Sequence, residues 1–428
     1  MLSIELLKIN SVFEEEFHPL VTSSDTNDDS IDSPLNGVRV LAVEQMQSLP
    51  FATQLLARLG AEVVKVEHPV RGDLGRSSLP AVNDLSGNQI GATFIRNNLS
   101  KKSIGIDLKH EAGQHLFKQL VPKFDVVAEN FKAGTMETFG LDYSSLSSLD
   151  ESLIYLSISG FGHDSSSPYV DWPAFAPIAE AMSGLYTFNR TPDEELKVSP
   201  AGALGDTGTG LFAVIAILAA LRHRETTGEG QYIDLAMFDS MIAFADIVPN
   251  YFSMGRDPRI QSSLINHSFT IVKGEIVIQI GREHQFKRFA ELLGKEEWLN
   301  DPRFSSRDGW VRNLEELRET VHQWAGDHAP IEVCERLADA GIAAAPVFTA
   351  EDIIGDPHIK SRNMLVEIPT QTGDAALAAG NPIKMAGVQD GADTPPPSLG
   401  ENTNDILASE LRMPLDEIEE LRKSGVIR

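Results

Sequence analysis

The sequence predicts an α/β protein: a Rossmann-like large domain on a parallel sheet, with a smaller α+β domain. Three observations carry this. Residues 38–43 and 62–67 are valine-rich runs, and between them lies a helical stretch, 51–59, opened by Pro50 and closed by Gly60. That is a βαβ unit, which favours a parallel sheet. Further apolar runs at 103–107, 125–128 and 153–159 alternate with helical patterns at 111–120 and 144–149. After Asn250 the texture changes. Residues 268–280 read as a hairpin turning at Lys273-Gly274, and amphipathic helices follow at 286–293, 314–325 and 331–340.

The remaining elements complete the layout. A long helix rich in Leu, Ala and Ile covers 210–224, and Thr226-Thr-Gly-Glu-Gly230 ends it. A strand at 231–235 and a helix at 238–246 follow. Residues 346–350 are strand-like, Pro395-Pro-Pro397 marks a loop, and 403–424 is helical. The expected divisions are an acidic, disordered N-terminal arm (1–36), a catalytic large domain (37–255), a small domain (256–345) and a C-terminal segment (346–428) returning to the large domain.

Charge narrows the partners. The 428 residues carry 36 Lys and Arg against 62 Asp and Glu, a net charge of −26. Nucleic acid and anionic membrane surfaces bind through positive fields, so neither is an expected partner. Residues 1–36 hold eight acids and one lysine, in a polar, Pro-terminated context that reads as disordered. The lone Cys334 allows no disulfide within one chain and no cysteine-based metal site, so no metal is expected. The longest wholly apolar run, 211–221, is too short for a membrane span. A soluble, cytoplasmic location is the simplest expectation.

Two motifs carry chemistry. Gly208-Thr-Gly210-Leu-Phe-Ala213 has dinucleotide-loop spacing but no strand before it, so a nicotinamide or flavin site is not expected. Asp206 lies among glycines just ahead of the long helix. From spacing alone it reads first as an N-cap. The same geometry is compatible with an ionised carboxylate open to a substrate at the positive end of a helix, a competent nucleophile toward an activated acyl group.

A resemblance decides between these weights. Pro34-Leu-Asn-Gly-Val-Arg-Val-Leu41, Gly60-Ala-Glu-Val-Val-Lys-Val-Glu-His-Pro69, Val127-Ala-Glu-Asn-Phe131, Ser157-Ile-Ser-Gly-Phe-Gly162, Ala203-Leu-Gly-Asp206 and Leu399-Gly-Glu-Asn402 resemble, in order, the class III CoA-transferase family. That family includes formyl-CoA transferase, carnitine CoA-transferase and α-methylacyl-CoA racemase. The resemblance implies an interlocked homodimer. It also implies transfer of CoA from an acyl-CoA donor to a small carboxylic acid, with coenzyme A as substrate and no permanently bound cofactor. Asp206 matches the acyl-accepting aspartate, and backbone N–H groups around 205–210 are candidate oxyanion donors. Met46 and Gln47 match positions near the reacting carbonyl. His68, Ile106, Lys109, Asn130, Phe131 and Lys132 match the adenine and phosphate pocket. His68 stands where members often carry Arg, so Arg71 or Arg76 is expected to compensate. Thr138 also stands where some members carry Arg.

Departures from the family narrow the substrate. The racemase branch requires a His where this chain has Phe175, and the formyl-CoA branch a Glu where it has Ala176. Trp172 and Phe175 point to an apolar acid pocket. The alternatives kept open are an α-methylacyl-CoA racemase and a non-catalytic acyl-CoA-binding protein.

Overall fold

The computed structural model describes residues 33–428 except 86, 164–165, 188–194, 199–201, 258–263, 372–374 and 386–392. The chain forms two compact units. One takes the chain through Asn250 together with Pro357–Arg428, and the other is Tyr251–Asp356.

The first unit is built on six parallel strands: β1 (Arg39–Val43), β2 (Glu62–Glu67), β3 (Lys102–Gly105), β4 (Val126–Glu129), β5 (Ile154–Ser159) and β6 (Gln231–Ala236). Their spatial order is β3-β2-β1-β4-β5-β6. This is the doubly wound order, in which the winding reverses between β1 and β4 and leaves a crevice at the strands' carboxyl ends. Alternation along the strands feeds two cores. Leu41 and Val43 enter one and Val40 and Ala42 the other. Helices α1 (Ser48–Arg58), α2 (Ala92–Asn97) and α3 (Leu204–Thr227) frame the crevice. The second core lies under α1 and α3. The first lies under Glu111–Leu120 and the C-terminal helices.

Several boundaries differ from expectation for identifiable reasons. The terminal helical stretch is two helices, Thr403–Leu411 and Leu415–Lys423, because Arg412 turns left-handed and Pro414 cannot continue a helix. The chain end then returns to β3, with the Asp107 amide donating to Val426 O (2.8 Å). Residues 1–32 of the expected arm lie outside the described residues. Its remainder is part of the fold: Leu35 is buried in the second core and its amide bonds Leu59 O at 2.9 Å.

Helix α3 starts at Leu204, six residues earlier than expected, so the whole G-x-G-x-x-A spacing lies inside it. It is long and apolar enough to cross a bilayer, but Ala213, Ile217, Ala220 and Leu221 are core residues here. Its glycines serve close packing. A Cβ on Gly205 would sit 2.8 Å from Ala176 Cα, one on Gly208 2.6 Å from the Phe244 ring, and one on Gly210 2.8 Å from Ser48 O.

Two hairpins, Ala81–Asn83 with Gln89–Gly91 and Leu365–Pro369 with Ala375–Ala379, escaped the sequence reading. They share an apolar cluster with α2 through Ile90, Phe94, Leu99, Ile368 and Ala378.

The second unit carries a three-stranded antiparallel sheet: Ile265–Ile271, Gly274–Ile280 and Ala343–Pro346. The last strand ends where the sequence suggested one begins, because Thr349 caps the helix Ala350–Gly355. Phe286 stacks on Trp310 in its core, and Cys334 is buried on the helix Pro330–Asp339.

Candidate active site

The crevice is shaped first by the loop from β1 into α1. Met46 takes a left-handed conformation (φ 62°), uncommon for a side chain of this size. Two contacts hold it. The Met46 amide donates to Asp73 Oδ1 (2.9 Å), and the Asn130 side chain accepts from the Gln45 amide (2.9 Å) and donates to Gln45 O (2.9 Å). Asn130 therefore laces the β1 and β4 exit loops together at the winding reversal. Behind it Glu129 accepts from the Phe131 amide (2.8 Å), and burial pushes the Glu129 carboxyl up to about 7.

Beneath the loop lies a buried network of charges. Lys65 Nζ is 2.7 Å from Asp73 Oδ2 and 3.3 Å from Glu44 Oε1. Lys101 Nζ is 2.7 Å from the same Glu44 oxygen and bonds Pro50 O and Asn98 Oδ1. Glu67 accepts from Ser103 (2.6 Å), the Asp73 amide (2.9 Å) and both sides of the Arg76 fork (2.6 and 2.7 Å). Burial works against the carboxylates, but Lys65 beside Asp73 and Arg76 beside Glu67 hold both below the usual carboxylate range.

Asp206 is the third residue of α3, and Ala203, not Asp206, is its N-cap. Glu180 reaches in from the helix Ala176–Met182 and accepts the Gly205 amide at 2.8 Å. The Leu204 amide goes to Gly202 O, and those of Asp206 and Thr207 go to Ala203 O. The amides expected to bind an oxyanion are thus occupied. Among the described residues, no hydrogen bond reaches the Asp206 carboxylate. Burial, then the neighbouring Glu180 charge, push it up to about 6, and Arg96 opposes them.

Asp206 opens on a cavity of about 280 Å³ whose wall includes Met46, Gln47, Asn130, Phe131, Lys132, Trp172 and Phe175. The Gln47 Oε1 accepts from Arg96 Nη2 at 2.7 Å, and among the described residues the Gln47 side-chain nitrogen makes no hydrogen bond. The backbone amides of Gln47 and Ser48, at the head of α1, make no hydrogen bond among the described residues. An adjoining cavity of about 330 Å³ shares Gln45, Leu74 and Phe131 with the first, and is lined by His68, Arg71, Ile106 and Lys109.

Three expected site residues lie elsewhere. Arg76 forks onto Glu67 and sits over the Phe94 ring (3.7 Å), so its charge is already spent inside the fold. Ala176 is buried against Gly205 and lines neither cavity. Thr138 bonds Thr135 O and likewise lines neither. His68 Nδ1 accepts from the Val70 amide (3.1 Å). Arg71, Lys109 and Lys132 are exposed and free of ion pairs among the described residues, a local basic rim on an acidic protein.

The model of CoA-transferase family III matches residues 35–403. The chain belongs to this family. It is a CoA-transferase, and its relatives span nearly all of it. The β subunit of succinyl-CoA–L-malate CoA-transferase from Chloroflexus aurantiacus is 32% identical over 92% of this chain and 98% of its own. Succinate–glutarate CoA-transferase from Agrobacterium fabrum is 34% identical over 88% and 95%. Succinyl-CoA:mesaconate CoA-transferase from Haloarcula hispanica is 36% identical over 87% and 95%. A crystal structure of a CAIB/BAIF family protein from Brucella suis superposes with a TM-score of 0.78 at 33% identity, covering 88% of this chain and 99% of that one.

Two residues beside the candidate site of this transferase were missed in the sequence. Arg96 reaches Gln47 from a short helix between weak elements, and no motif surrounds it. Glu180 lies 25 residues before the amide it caps.

Proposed function

We propose that CoA passes from an acyl-CoA to a free acid through covalent intermediates on Asp206. The carboxylate oxygen attacks the thioester carbonyl, the C–S bond breaks, and CoA thiolate leaves a mixed anhydride. The thiolate attacks the Asp206 carbonyl carbon, giving an aspartyl-CoA thioester and releasing the first acid. The acceptor carboxylate then repeats both steps in reverse, and Asp206 is regenerated. The observation that carries this is an Asp206 carboxylate without a hydrogen-bond partner among the described residues, facing the same cavity as Gln47. The free Gln47 side-chain nitrogen and the Gln47 and Ser48 amides are the donors available to a developing oxyanion. The thiol arm lies toward Met46 and Gln47, and the nucleotide phosphates lie by Arg71 and Lys109, with Lys132 between.

The acids in the relatives' names, malate, succinate, glutarate and mesaconate, each carry two carboxylates. Dicarboxylic acids are the substrate class we assign, with a succinyl-type thioester as donor. A second copy of the chain covers Leu211, Ile215 and Leu218, an exposed apolar stripe at i, i+4 and i+7 on α3. Phe175 leaves the site without the histidine that α-proton exchange uses.

Initial rates test this reading. Varying donor and acceptor together is expected to give parallel double-reciprocal lines. The rate is expected to fall below pH about 6, as the nucleophile protonates. Intersecting lines contradict the covalent sequence.

A further inference from the structure

We propose that Arg96 binds the second, non-reacting carboxylate of a dicarboxylic substrate and so sets the enzyme's preference for diacids. This rests on the reading of Asp206 as nucleophile. Arg96 is exposed and has no carboxylate partner among the described residues, yet its charge acts on Asp206. One N–H goes to Gln47 Oε1 at 2.7 Å, and among the described residues the rest of the guanidinium makes no hydrogen bond or ion pair. Its base is rigid. The buried Gln54 donates to Arg96 O (2.9 Å) and accepts the Leu99 amide (2.7 Å), which fixes the end of α2.

The need for such a group is electrostatic. A diacid brings two negative charges beside Asp206 and within reach of the Glu180 field. The reacting carboxylate meets the Gln47 donors. The other needs a cation that is not committed elsewhere. Arg76 is paired with Glu67, and Lys65 and Lys101 are paired inside the network. Arg71 and Lys109 line the adjoining cavity. Lys132 lines the Asp206 cavity and is the competing candidate. Arg96 lines neither cavity, but alone of these it hydrogen-bonds Gln47, which lines the Asp206 cavity, and its planar fork suits a carboxylate.

The test uses the full-length protein with succinyl-CoA as donor and either ¹³C-labelled succinate or butyrate as acceptor. Butyrate matches succinate in length but lacks the second carboxylate. Arg96→Gln is expected to lower the succinate-to-butyrate ratio of kcat/KM by about 30-fold, mainly through KM for succinate, with partial recovery in Arg96→Lys. Lys132→Gln serves as the comparison. An unchanged ratio in Arg96→Gln overturns the proposal, as does a larger drop in Lys132→Gln or a wild type that prefers butyrate. The covalent adduct formed from donor alone is measured in parallel. Its absence in the wild type defeats the Asp206 reading. Its presence with an unchanged ratio defeats only the role of Arg96.

Discussion

Asp206→Asn is expected to lose CoA transfer by at least about 10³-fold and to gain stability. The first part follows from chemistry: the amide is not a nucleophile toward a thioester. The second follows from where the carboxylate sits. Burial and the Glu180 charge raise it to about 6, above the ordinary 3.8 it recovers on unfolding. The folded protein therefore holds the proton more tightly than the unfolded chain. No penalty exists below about pH 4, where both states are protonated. It grows between pH 4 and 6 and is full above 6. At pH 7 it amounts to at most ~3 kcal/mol, nearer 1–2 after solvent screening at this partly exposed site. Urea melts should show the variant more stable at pH 7 and nearly equal to wild type at pH 4. A nucleophile held at the expense of the fold is the pattern of a functional carboxylate. A structural N-cap shows the opposite, since its removal destabilises.

Lys65→Met is expected to cost about 3–5 kcal/mol. Lys65 is fully buried between Asp73 and Glu44. Removing its charge leaves two buried carboxylates, with Lys101 as the remaining buried cation beside Glu44 among the described residues. The loss also reaches the active site, because Asp73 is the group that holds the Met46 amide in its left-handed turn. Denaturant unfolding should shift to a clearly lower midpoint, and the folded variant should show reduced kcat. A melt within about 1 kcal/mol of wild type would mean that the network contributes little net stability.

Much of the large unit could be read in the sequence, because its parallel strands are apolar runs and its helices are punctuated by Pro50, Gly60 and Gly228. The site was legible where chemistry and chain order coincide. Gln47 and Asp206, far apart in sequence, stand at the starts of α1 and α3 and line one cavity. What failed were readings that depend on distant partners. Gly205, Gly208 and Gly210 read as an opening for substrate, but their missing side chains admit Ala176, Phe244 and Ser48. Arg76 read as a phosphate anchor until Glu67 claimed it. Lys65 read as one residue of a strand, and a fully buried lysine is visible only once Glu44 and Asp73 are seen around it. Arg96 rides on α2, whose apolar cluster joins Ile90 to Ile368 across 278 residues of chain, a contact that no local pattern announces.

The central claim is that Asp206 becomes covalently acylated during turnover. Mixing the enzyme with succinyl-CoA, quenching with hydroxylamine and mapping the peptides by mass spectrometry tests it directly. An aspartyl hydroxamate is expected at Asp206, formed only when the acyl-CoA is present. An unmodified Asp206 in enzyme that is turning over would contradict it.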